Sequence, residues 1–305
     1  MDGRVVPVIL DVDTGIDDAL ALALAVASPH VELVAVTTLA GNVDVERTTA
    51  NTLAVLDWLG ATDVPIHRGA SRPLVRPHQD AAFVHGTDGL GNAGLPSHAR
   101  ALGPDRGPAA MVRLANQRLG ELTLVCVGPL TNLAIALNVE PRLPELVAGL
   151  VVMGGAFSVP GNVTPAAEFN IYVDPEAAAQ VFAAPFKRLT AVGLDVTQRV
   201  VLSRAIWQAT AHAEQGAAAL VSRICRRSFV ERDLDGVQLH DPLALAVAFD
   251  PTLVSCRESH VSVAATGEER GRTREVGPGS VAVATSVDAE RFMRLFTAAL
   301  ALPGA

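Results

Sequence analysis

The chain has 305 residues, of which 50% are hydrophobic, so it can bury a large core and the composition excludes a disordered protein. The formal net charge is -8, and no block rich in Lys or Arg is present that could neutralise a phosphate backbone. The composition therefore disfavours nucleic-acid binding and favours a small-molecule partner.

Short β-branched runs alternate with longer runs rich in Ala and Leu through the first two thirds of the chain. This pattern predicts an α/β fold with an open, Rossmann-like, mostly parallel sheet and helices on both faces. In chain order, we predict strand 5–10, helix 17–28, strand 32–38, helix 45–60, helix 109–120, strand 122–128, helix 130–138, strand 149–155, helix 174–184 and strand 189–196. Further on, we predict a helical stretch at 203–232, helix 241–250, strands 260–265 and 280–285, and a closing helix 288–300.

Residues typical of helix ends support these boundaries. Asp17, Thr131 and Asp174 stand at predicted helix starts, where a short polar side chain can cap the first backbone amides. Gly60 and Gly120 stand where helices should end, because glycine readily adopts the left-handed conformation that terminates a helix.

Two long segments fit no regular element. Residues 67–108 are rich in His, Pro and Gly, and residues 156–168 read AFSVPGNVTPAAE. Loops of this length in a compact domain are usually binding loops. Both would emerge near the carboxyl ends of strands, where open parallel sheets bind their ligands, and we place the active site there. No linker is long enough to divide the chain, so we predict one domain over residues 1–305.

The cysteines and the N-terminus bear on the compartment. Cys126, Cys225 and Cys256 are widely spaced and leave one thiol over in any disulfide scheme, which indicates a reducing environment. Cys126 lies in an apolar run, where we expect a buried, inert thiol. No signal-peptide pattern precedes the first apolar run, and no run reaches the length that spans a membrane. We therefore expect a soluble, cytoplasmic protein without membrane contact.

Four aspartates lie where the first predicted strand passes into the first predicted helix, in LDVDTGIDDALAL. Asp11 and Asp13 follow the strand and Asp17 and Asp18 fall in the first helical turn, so all four can converge on one crevice. Capping the helix explains one or two of them. Carboxylates this close together repel unless a cation neutralises them, and Ca²⁺ or Mg²⁺ prefers oxygen ligands. The cluster predicts a metal site, and no Cys/His spacing suggests zinc.

A second acidic element is His240–Asp241–Pro242. Pro242 suits the first turn of a helix, so Asp241 can be a helix N-cap. Alternatively, Asp241 is a distant metal ligand and His240 is a general acid beside it.

A third polar element is AEFNIYVDPEA. Glu168 and Asn170 alternate with apolar residues, so in an extended segment both would face one side and could bind a hydroxyl-rich ligand such as a sugar. A loop that satisfies its own backbone is the alternative. Asn42, which follows the second predicted strand, allows the same two interpretations.

Seven blocks resemble the inosine–uridine-preferring nucleoside hydrolase family: DVDTGIDDA, AGN, HGTDGLG, VGPLTNLA, VVMGGAF, AEFNIYVDPEA and HDPLA, in this order. The match runs from about Val6 to Ala244. The resemblance implies an enzyme that hydrolyses the N-glycosidic bond of ribonucleosides to ribose and a free base, with calcium as cofactor. It also implies a homodimer or homotetramer and a role in nucleoside catabolism or in purine and pyrimidine salvage.

The resemblance assigns roles to the acidic residues. Ca²⁺ would be held by Asp13, Asp18, Asp241 and the backbone carbonyl of Val127, and Asp11 would be a supporting carboxylate behind them. Asp13 would also be the base for the attacking water, which the ion orients and acidifies.

The remaining roles concern the nucleoside. His240 would protonate the leaving base, and His85 would lie on the base side, although a lone loop histidine is otherwise expected at the surface. Asp13, His240 and Asn170 would form the catalytic set. The groups that would hold the sugar are Asp17, Asn42 and Asn170 for the ribose hydroxyls, Asn162 and Glu168 for the 5′ end, and Met153 beside the ring.

The chemistry of the reaction agrees with these roles. Cleavage of the N-glycosidic bond builds positive charge on the ribosyl ring, which a carboxylate-rich pocket stabilises. Family members often carry tyrosines before HDP, but this stretch reads RICRRSFVERDLDGVQ and the one tyrosine is Tyr172. The base contacts must then come from other residues, and Phe229 and Arg232 are candidates.

Two rival functions stay open. VVPVILDVDTG also resembles the DxDxT strand of haloacid-dehalogenase-like phosphatases, although Lys187, the one lysine, lacks the context of their phosphate-binding residue. A calcium-dependent nucleoside- or sugar-binding protein without turnover would keep the same pocket.

Overall fold

A central sheet is covered by helices on both faces in the computed structural model, which describes residues 5–96 and 100–302. Its strands are β1 (Val6–Val12), β2 (Val31–Thr38), β3 (Ile66–Arg68), β4 (Thr123–Cys126), β5 (Gly149–Met153), β6 (Leu189–Val192), β7 (Val201–Ser203), β8 (Gly236–Gln238), β9 (Val254–Ser259), β10 (Val261–Val263), β11 (Thr273–Glu275) and β12 (Val281–Val287). Its helices are α1 (Ile16–Ala27), α2 (Val45–Trp58), α3 (Ala82–His85), α4 (Gly107–Gln117), α5 (Thr131–Val139), α6 (Leu143–Leu146), α7 (Phe169–Val173), α8 (Pro175–Ala183), α9 (Leu194–Thr197), α10 (Arg204–Ala209), α11 (Gly216–Ile224), α12 (His240–Phe249) and α13 (Ala289–Ala299). Residues 1–4, where we expected no signal peptide, and residues 97–99 of the predicted loop lie outside the described residues.

Eight strands form the main sheet in the order β3-β2-β1-β4-β5-β6-β12-β9. All pairs are parallel except that of the edge strand β9, which runs antiparallel to β12. From β1 the chain adds β2 and β3 on one side and later β4, β5 and β6 on the other. Ligands of such sheets bind at the carboxyl ends of the strands where this direction changes, which is between β1 and β4 here. The prediction of a mostly parallel, Rossmann-like sheet is confirmed.

The alternation of side chains along each strand explains the apolar runs. Val8 and Leu10 of β1 pack into one buried cluster, beneath α1, α12 and α13, whereas Ile9 packs into a second cluster beneath α4, α5 and α8. Cys126 is a free thiol buried in the second cluster, and burial raises its pKa, as expected for an inert cysteine. Among the described residues, no helix is both long and apolar enough to cross a membrane.

The predicted helical stretch 203–232 is wrong as one helix. It contains α10, α11 and a π-helical turn at Arg227–Glu231. Gly216 begins α11 with a φ of 70°, which a continuous right-handed helix does not allow. At the other end, the Arg232 amide donates to the Arg227 carbonyl over 3.0 Å, which is the wider hydrogen-bond spacing of a π-helix.

The last third of the sheet also differs from the prediction. The predicted strand 260–265 is the short strand β10, which pairs with β11 in a hairpin outside the main sheet. The predicted strand 280–285 lies within β12, but β9 is not predicted because its exposed edge carries mostly polar side chains. The segment 67–108, predicted as irregular, contains most of β3, all of α3 and the start of α4.

The helix caps give mixed outcomes. Asp174 caps α8 by accepting the Ala177 amide, as predicted, and Gly60 and Gly120 follow their helices with φ of 72° and 70°. Asp17 is not a cap, because Gly15 is the N-cap of α1. Thr131 is the first residue of α5, and its hydroxyl donates to Asp174 over 2.6 Å instead. The N-cap alternative for Asp241 is wrong as well, because α12 begins at His240.

Candidate active site

A cavity of about 580 Å³ opens at the carboxyl ends of the central strands. It is lined by most of the residues that the sequence analysis singled out, although they come from seven separate parts of the chain. Asp11 and Asp18 are fully buried and do not line it. The predicted residues that line it are Asp13, Asp17, Asn42, His85, Val127, Met153, Asn162, Glu168, Asn170, His240 and Asp241.

Three carboxylates from two helices converge beside this cavity. Asp17 and Asp18 lie in the first turn of α1, and Asp241 lies in the first turn of α12, which packs against α1. Each offers an oxygen atom, and these atoms lie within 4.8 Å of one another. All three also lie near the N-termini of their helices, where the helix dipole favours negative charge. The packing of two helix starts therefore brings together residues more than 200 positions apart.

Asp18 is held by a ring of donors. Its Oδ1 accepts the Asp13 amide over 3.0 Å, and its Oδ2 accepts the Gly15 amide over 2.8 Å. The side-chain amide of Asn42 donates to the same Oδ2 over 3.1 Å. These bonds fix the carboxylate and connect α1 to the loop after β2.

Asp13 lies between two glycine-containing loops. Its Oδ2 accepts the Asn42 amide over 2.6 Å. A Cβ atom on Gly41 would lie 2.0 Å from this Oδ2, and one on Gly128 would lie 2.7 Å from Oδ1, so only glycine fits at either position. Asp13 is not one of the three carboxylates that meet within 4.8 Å, and its role as a metal ligand stays a prediction.

Burial dominates the electrostatics of the acidic residues. It raises the pKa of Asp13 and of Asp241 well above their usual range, and that of Asp18 to about 7. Burial also raises the pKa of Asp17, although the nearby His240 opposes this shift. Repulsion between the carboxylates adds to the effect at Asp13, Asp18 and Asp241. The cluster is therefore costly to ionise until a cation neutralises it.

Two histidines face the cavity, and burial lowers the pKa of both. Nδ1 of His85 accepts the Ile16 amide over 3.0 Å, so the neutral ring carries its proton on Nε2. The pKa of His85 is lowered to about 4, and its ring is neutral at pH 7. Nδ1 of His240 is 2.7 Å from the Thr197 hydroxyl, and the charge of Asp17 partly offsets the lowering of its pKa. His85 thus lines the cavity, and the alternative prediction of a histidine at the protein surface is wrong.

Asn170 and Glu168 do not lie in an extended segment as predicted, because α7 forms there. The Glu168 carboxylate caps this helix and accepts the amides of Gly155, Asn170 and Ile171 over 3.1, 2.8 and 3.2 Å. The Asn170 side-chain amide donates to the Val127 carbonyl over 2.7 Å. Both side chains line the cavity, since the cap directs the first turn of α7 towards it.

The sequence profile of the inosine-uridine preferring nucleoside hydrolase family matches residues 8–294. The chain belongs to this family. Nucleoside hydrolases are N-glycosyl hydrolases, so the chain is an enzyme of this class.

Two relatives and two solved structures illustrate the match. The chain is 39% identical to the non-specific ribonucleoside hydrolase RihC of Klebsiella pneumoniae, over 97% of this chain and 98% of the relative. It is 36% identical to the inosine-uridine preferring nucleoside hydrolase of Leishmania major, over 85% and 84%. A plant nucleoside hydrolase superposes with a TM-score of 0.91 at 33% identity, over 96% and 98% of the two chains. The purine-preferring ribonucleoside hydrolase from Gardnerella vaginalis superposes with a TM-score of 0.90 at 32% identity, over the same shares.

Behind the nucleoside hydrolase cavity lies a polar network that the sequence analysis missed in part. Oδ1 of Asp11 accepts the Thr37 hydroxyl over 2.5 Å and the Asn132 side-chain amide over 2.8 Å. Burial raises the pKa of Asp11 to about 7. Asn132 also donates to the Thr38 carbonyl and accepts the Ala70 amide. It thus ties β1 to the ends of β2 and β3, and its place in VGPLTNLA was the one signal that could have found it.

The part of the cavity expected to contact the nucleobase differs from our prediction. Phe229 is wrong as a base contact, because the π-helical turn directs its ring into the core, where it stacks on Trp207 at 4.8 Å. Arg232 does line the cavity. Phe83 of α3 lines it too and is 74% exposed, and the sequence analysis missed it since an isolated aromatic residue in a loop carries no pattern.

The phosphatase alternative has no support at the site. Lys187 is exposed and precedes β6, whereas the cavity lies at the carboxyl ends of the strands.

Proposed function

We propose that the chain hydrolyses ribonucleosides to ribose and a free base, with Asp13 as the base that accepts a proton from water and His240 as the acid for the leaving group. The observation that carries this proposal is the meeting of Asp17, Asp18 and Asp241 within 4.8 Å beside a cavity of about 580 Å³. Such a cavity is large enough for a nucleoside. Its carboxylates are suited to the positive charge that develops on the ribosyl ring.

The donor set fits a hard divalent cation. All the acidic ligands are buried carboxylate oxygens, and burial and their mutual repulsion raise their pKa values. We propose Asp13, Asp18, Asp241 and the Val127 carbonyl as the ligands of Ca²⁺. When bound, the ion would orient a water molecule and lower its pKa. The Asn170 amide supports this set, because it holds the Val127 carbonyl in place over 2.7 Å.

Asp13 is suited to accept the proton of the attacking water. The Asn42 amide fixes its Oδ2, and the side chain lines the cavity where the water would bind. The other oxygen, Oδ1, lies beside Gly128, where a side chain would clash with it.

The ribose would lie between α1 and α7. Asp17, Asn42 and Asn170 line the cavity on this side and would bind the ribose hydroxyls, and Asn162 and Glu168 would bind the 5′ end. Met153 would pack against the sugar from β5. Burial of Asp17 strengthens its hydrogen bonds, since little water competes for them.

The departing base would be bound by the two histidines. His240 lies close enough to Asp17 for their charges to interact, and this partly offsets the lowering of its pKa by burial. We propose that His240 donates the proton to the departing base. His85 would add a second hydrogen bond from Nε2, because Ile16 occupies its Nδ1. Neither group requires a covalent intermediate.

We also propose a homodimer or homotetramer that acts in the cytoplasm in nucleoside catabolism or salvage. This rests on the family alone.

The experiment that tests the function compares the wild type with Asp13→Ala. We expect the wild type to release base from a ribonucleoside, and the variant to bind that nucleoside without releasing base. A wild type that binds nucleosides and hydrolyses none would instead identify a binding protein without turnover.

A further inference from the structure

The hairpin of β10 and β11 lies outside the main sheet, and the turn between its strands packs against α7. A Cβ atom on Gly271, at the end of its turn, would lie 2.8 Å from both the Ala167 Cβ and the Tyr172 Cα. The Thr273 hydroxyl lies 3.1 Å from the Ala156 amide and from its carbonyl. The hairpin thus contacts both ends of the irregular segment 156–168 and the helix that follows it.

Arg270, in the turn of this hairpin, makes three contacts with its guanidinium group. Its Cζ lies 3.9 Å from the centre of the Tyr172 ring, a cation–π distance. Its Nε and Nη2 donate to the Tyr172 carbonyl over 3.1 and 2.7 Å. Nη2 also donates to Oε1 of Gln79 over 3.2 Å. One half-buried side chain therefore joins α7 to the segment before α3.

The short helix α7 depends on contacts at both of its ends. It has 5 residues, too few for a helix that is stable on its own. Glu168 satisfies the amides at its N-terminus, and Arg270 satisfies the Tyr172 carbonyl near its C-terminus. Between these ends lies Asn170, whose amide donates to the carbonyls of Val127 and Met153 over 2.7 and 3.2 Å.

We propose that Arg270 is a positioning residue for the ribose side of the cavity. By holding the C-terminal end of α7 and the segment of Gln79 together, it keeps Asn170 aligned with the Val127 carbonyl. The claim that Arg270 affects ribose binding rests on the proposed function, whereas the claim that it stabilises the position of α7 does not. A lysine would keep the positive charge, but it has no planar guanidinium group to lie over the Tyr172 ring and to donate two hydrogen bonds to the Tyr172 carbonyl.

The test compares Arg270→Ala and Arg270→Lys with a matched control, Arg274→Ala. Arg274 lies in the same hairpin but is exposed, and its guanidinium bonds to Glu269 of that hairpin. We expect Arg270→Ala to raise the KM for the ribonucleoside that the wild type cleaves fastest about tenfold, since small displacements of a positioning group cost that much or more. Arg270→Lys should give an intermediate KM, and Arg274→Ala should keep the wild-type value. Lower stability alone would reduce the amount of folded enzyme and leave KM unchanged.

Amide hydrogen exchange over residues 168–174 gives a second readout, which needs no turnover. Exchange in this segment should be faster in Arg270→Ala than in the wild type and in Arg274→Ala. The proposal would be overturned if Arg270→Ala showed unchanged exchange or a wild-type KM. It would also be overturned if Arg270→Ala and Arg274→Ala had equal effects. If the wild type cleaves no nucleoside, the proposed function fails, and the exchange rates still decide whether Arg270 holds α7.

Discussion

The side-chain amide of Asn170 donates to the backbone carbonyl of Val127 across 2.7 Å and so connects α7 to the end of β4. This bond joins a residue proposed to bind ribose to a carbonyl proposed to bind Ca²⁺. The two subsites therefore share one hydrogen bond, and a change at Asn170 should affect both of them.

Asn170→Asp should lower kcat/KM about 100-fold, because a carboxylate cannot donate to the Val127 carbonyl and two acceptors would then face each other. Steady-state kinetics with the preferred ribonucleoside measure this. Asn116→Asp is the matched control, since Asn116 is exposed on α4 and donates to the Val112 carbonyl of its own helix. Activity of Asn170→Asp within a few-fold of the wild type would contradict the arrangement.

Asp13→Asn should lower kcat by roughly 10²–10⁴-fold, the range that a general base contributes, and change KM little. The amide keeps the shape of the side chain and one acceptor for the Asn42 amide, so the fold should be preserved. The measurement is made at saturating calcium, so that weaker metal binding does not limit the rate. Asp63→Asn, in an exposed loop, serves as control. A variant that retains most of its kcat would exclude Asp13 as the base.

Without metal, the melting temperature should fall as the pH rises from about 6.5 to 8. Burial raises the pKa of Asp18 and of Asp11 from 3.8 to about 7 in the folded protein. The folded protein therefore holds these two protons more tightly than the unfolded chain does. The stabilisation that results is complete below the unfolded pKa of 3.8 and is lost as the pH rises through the folded pKa of about 7. The pKa of His85 is lowered from 6.5 to about 4, so its contribution has the opposite dependence, but this lies mainly below pH 6.5.

Thermal unfolding with chelator at several pH values checks this expectation. Added calcium should restore the melting temperature most at the upper end of the range, where the carboxylates must be ionised. If the stability of the metal-free protein rose between pH 6.5 and 8, the acidic cluster would not be a site of electrostatic repulsion.

A 2′-deoxyribonucleoside should be cleaved about 100-fold less efficiently than its ribonucleoside, because polar groups built to bind the hydroxyl lose their partner. Asp17 and Asn42, which line the cavity, are the groups proposed to bind this hydroxyl. The comparison uses uridine with 2′-deoxyuridine and inosine with 2′-deoxyinosine. Equal kcat/KM values within each pair would place the sugar elsewhere.

The parallel part of the fold could be predicted, because strands buried on both faces leave unbroken apolar runs. The predicted strands 5–10 and 32–38 overlap β1 and β2 for this reason. Strand β9 could not be predicted, since its exposed edge position selects polar side chains. The break within 203–232 follows from the φ of Gly216 and from the stacking of Phe229 on Trp207, and neither has a local pattern.

The acidic part of the site was predictable from local crowding. Helix capping explains at most one or two of four aspartates within eight residues, so the cluster pointed to a shared site at the ends of parallel strands. Of the four, Asp13 and Asp17 line the cavity, whereas Asp11 and Asp18 lie buried behind it.

Asn132 acts through tertiary hydrogen bonds, and only its place in VGPLTNLA pointed to it. The role of Arg270 was not predictable, because it acts through tertiary hydrogen bonds to a backbone carbonyl of a distant segment. The same holds for the bond between Ile16 and His85, which decides the tautomer of the ring.

The most direct test of the account is product release from inosine, uridine, cytidine, adenosine and guanosine, measured before chelation, after chelation and after calcium is added back. We predict that free ribose and free base appear in equal amounts from at least one of the five. Release should stop in chelator and return with calcium. No release from any of the five, or undiminished release from the metal-free protein, would contradict the account.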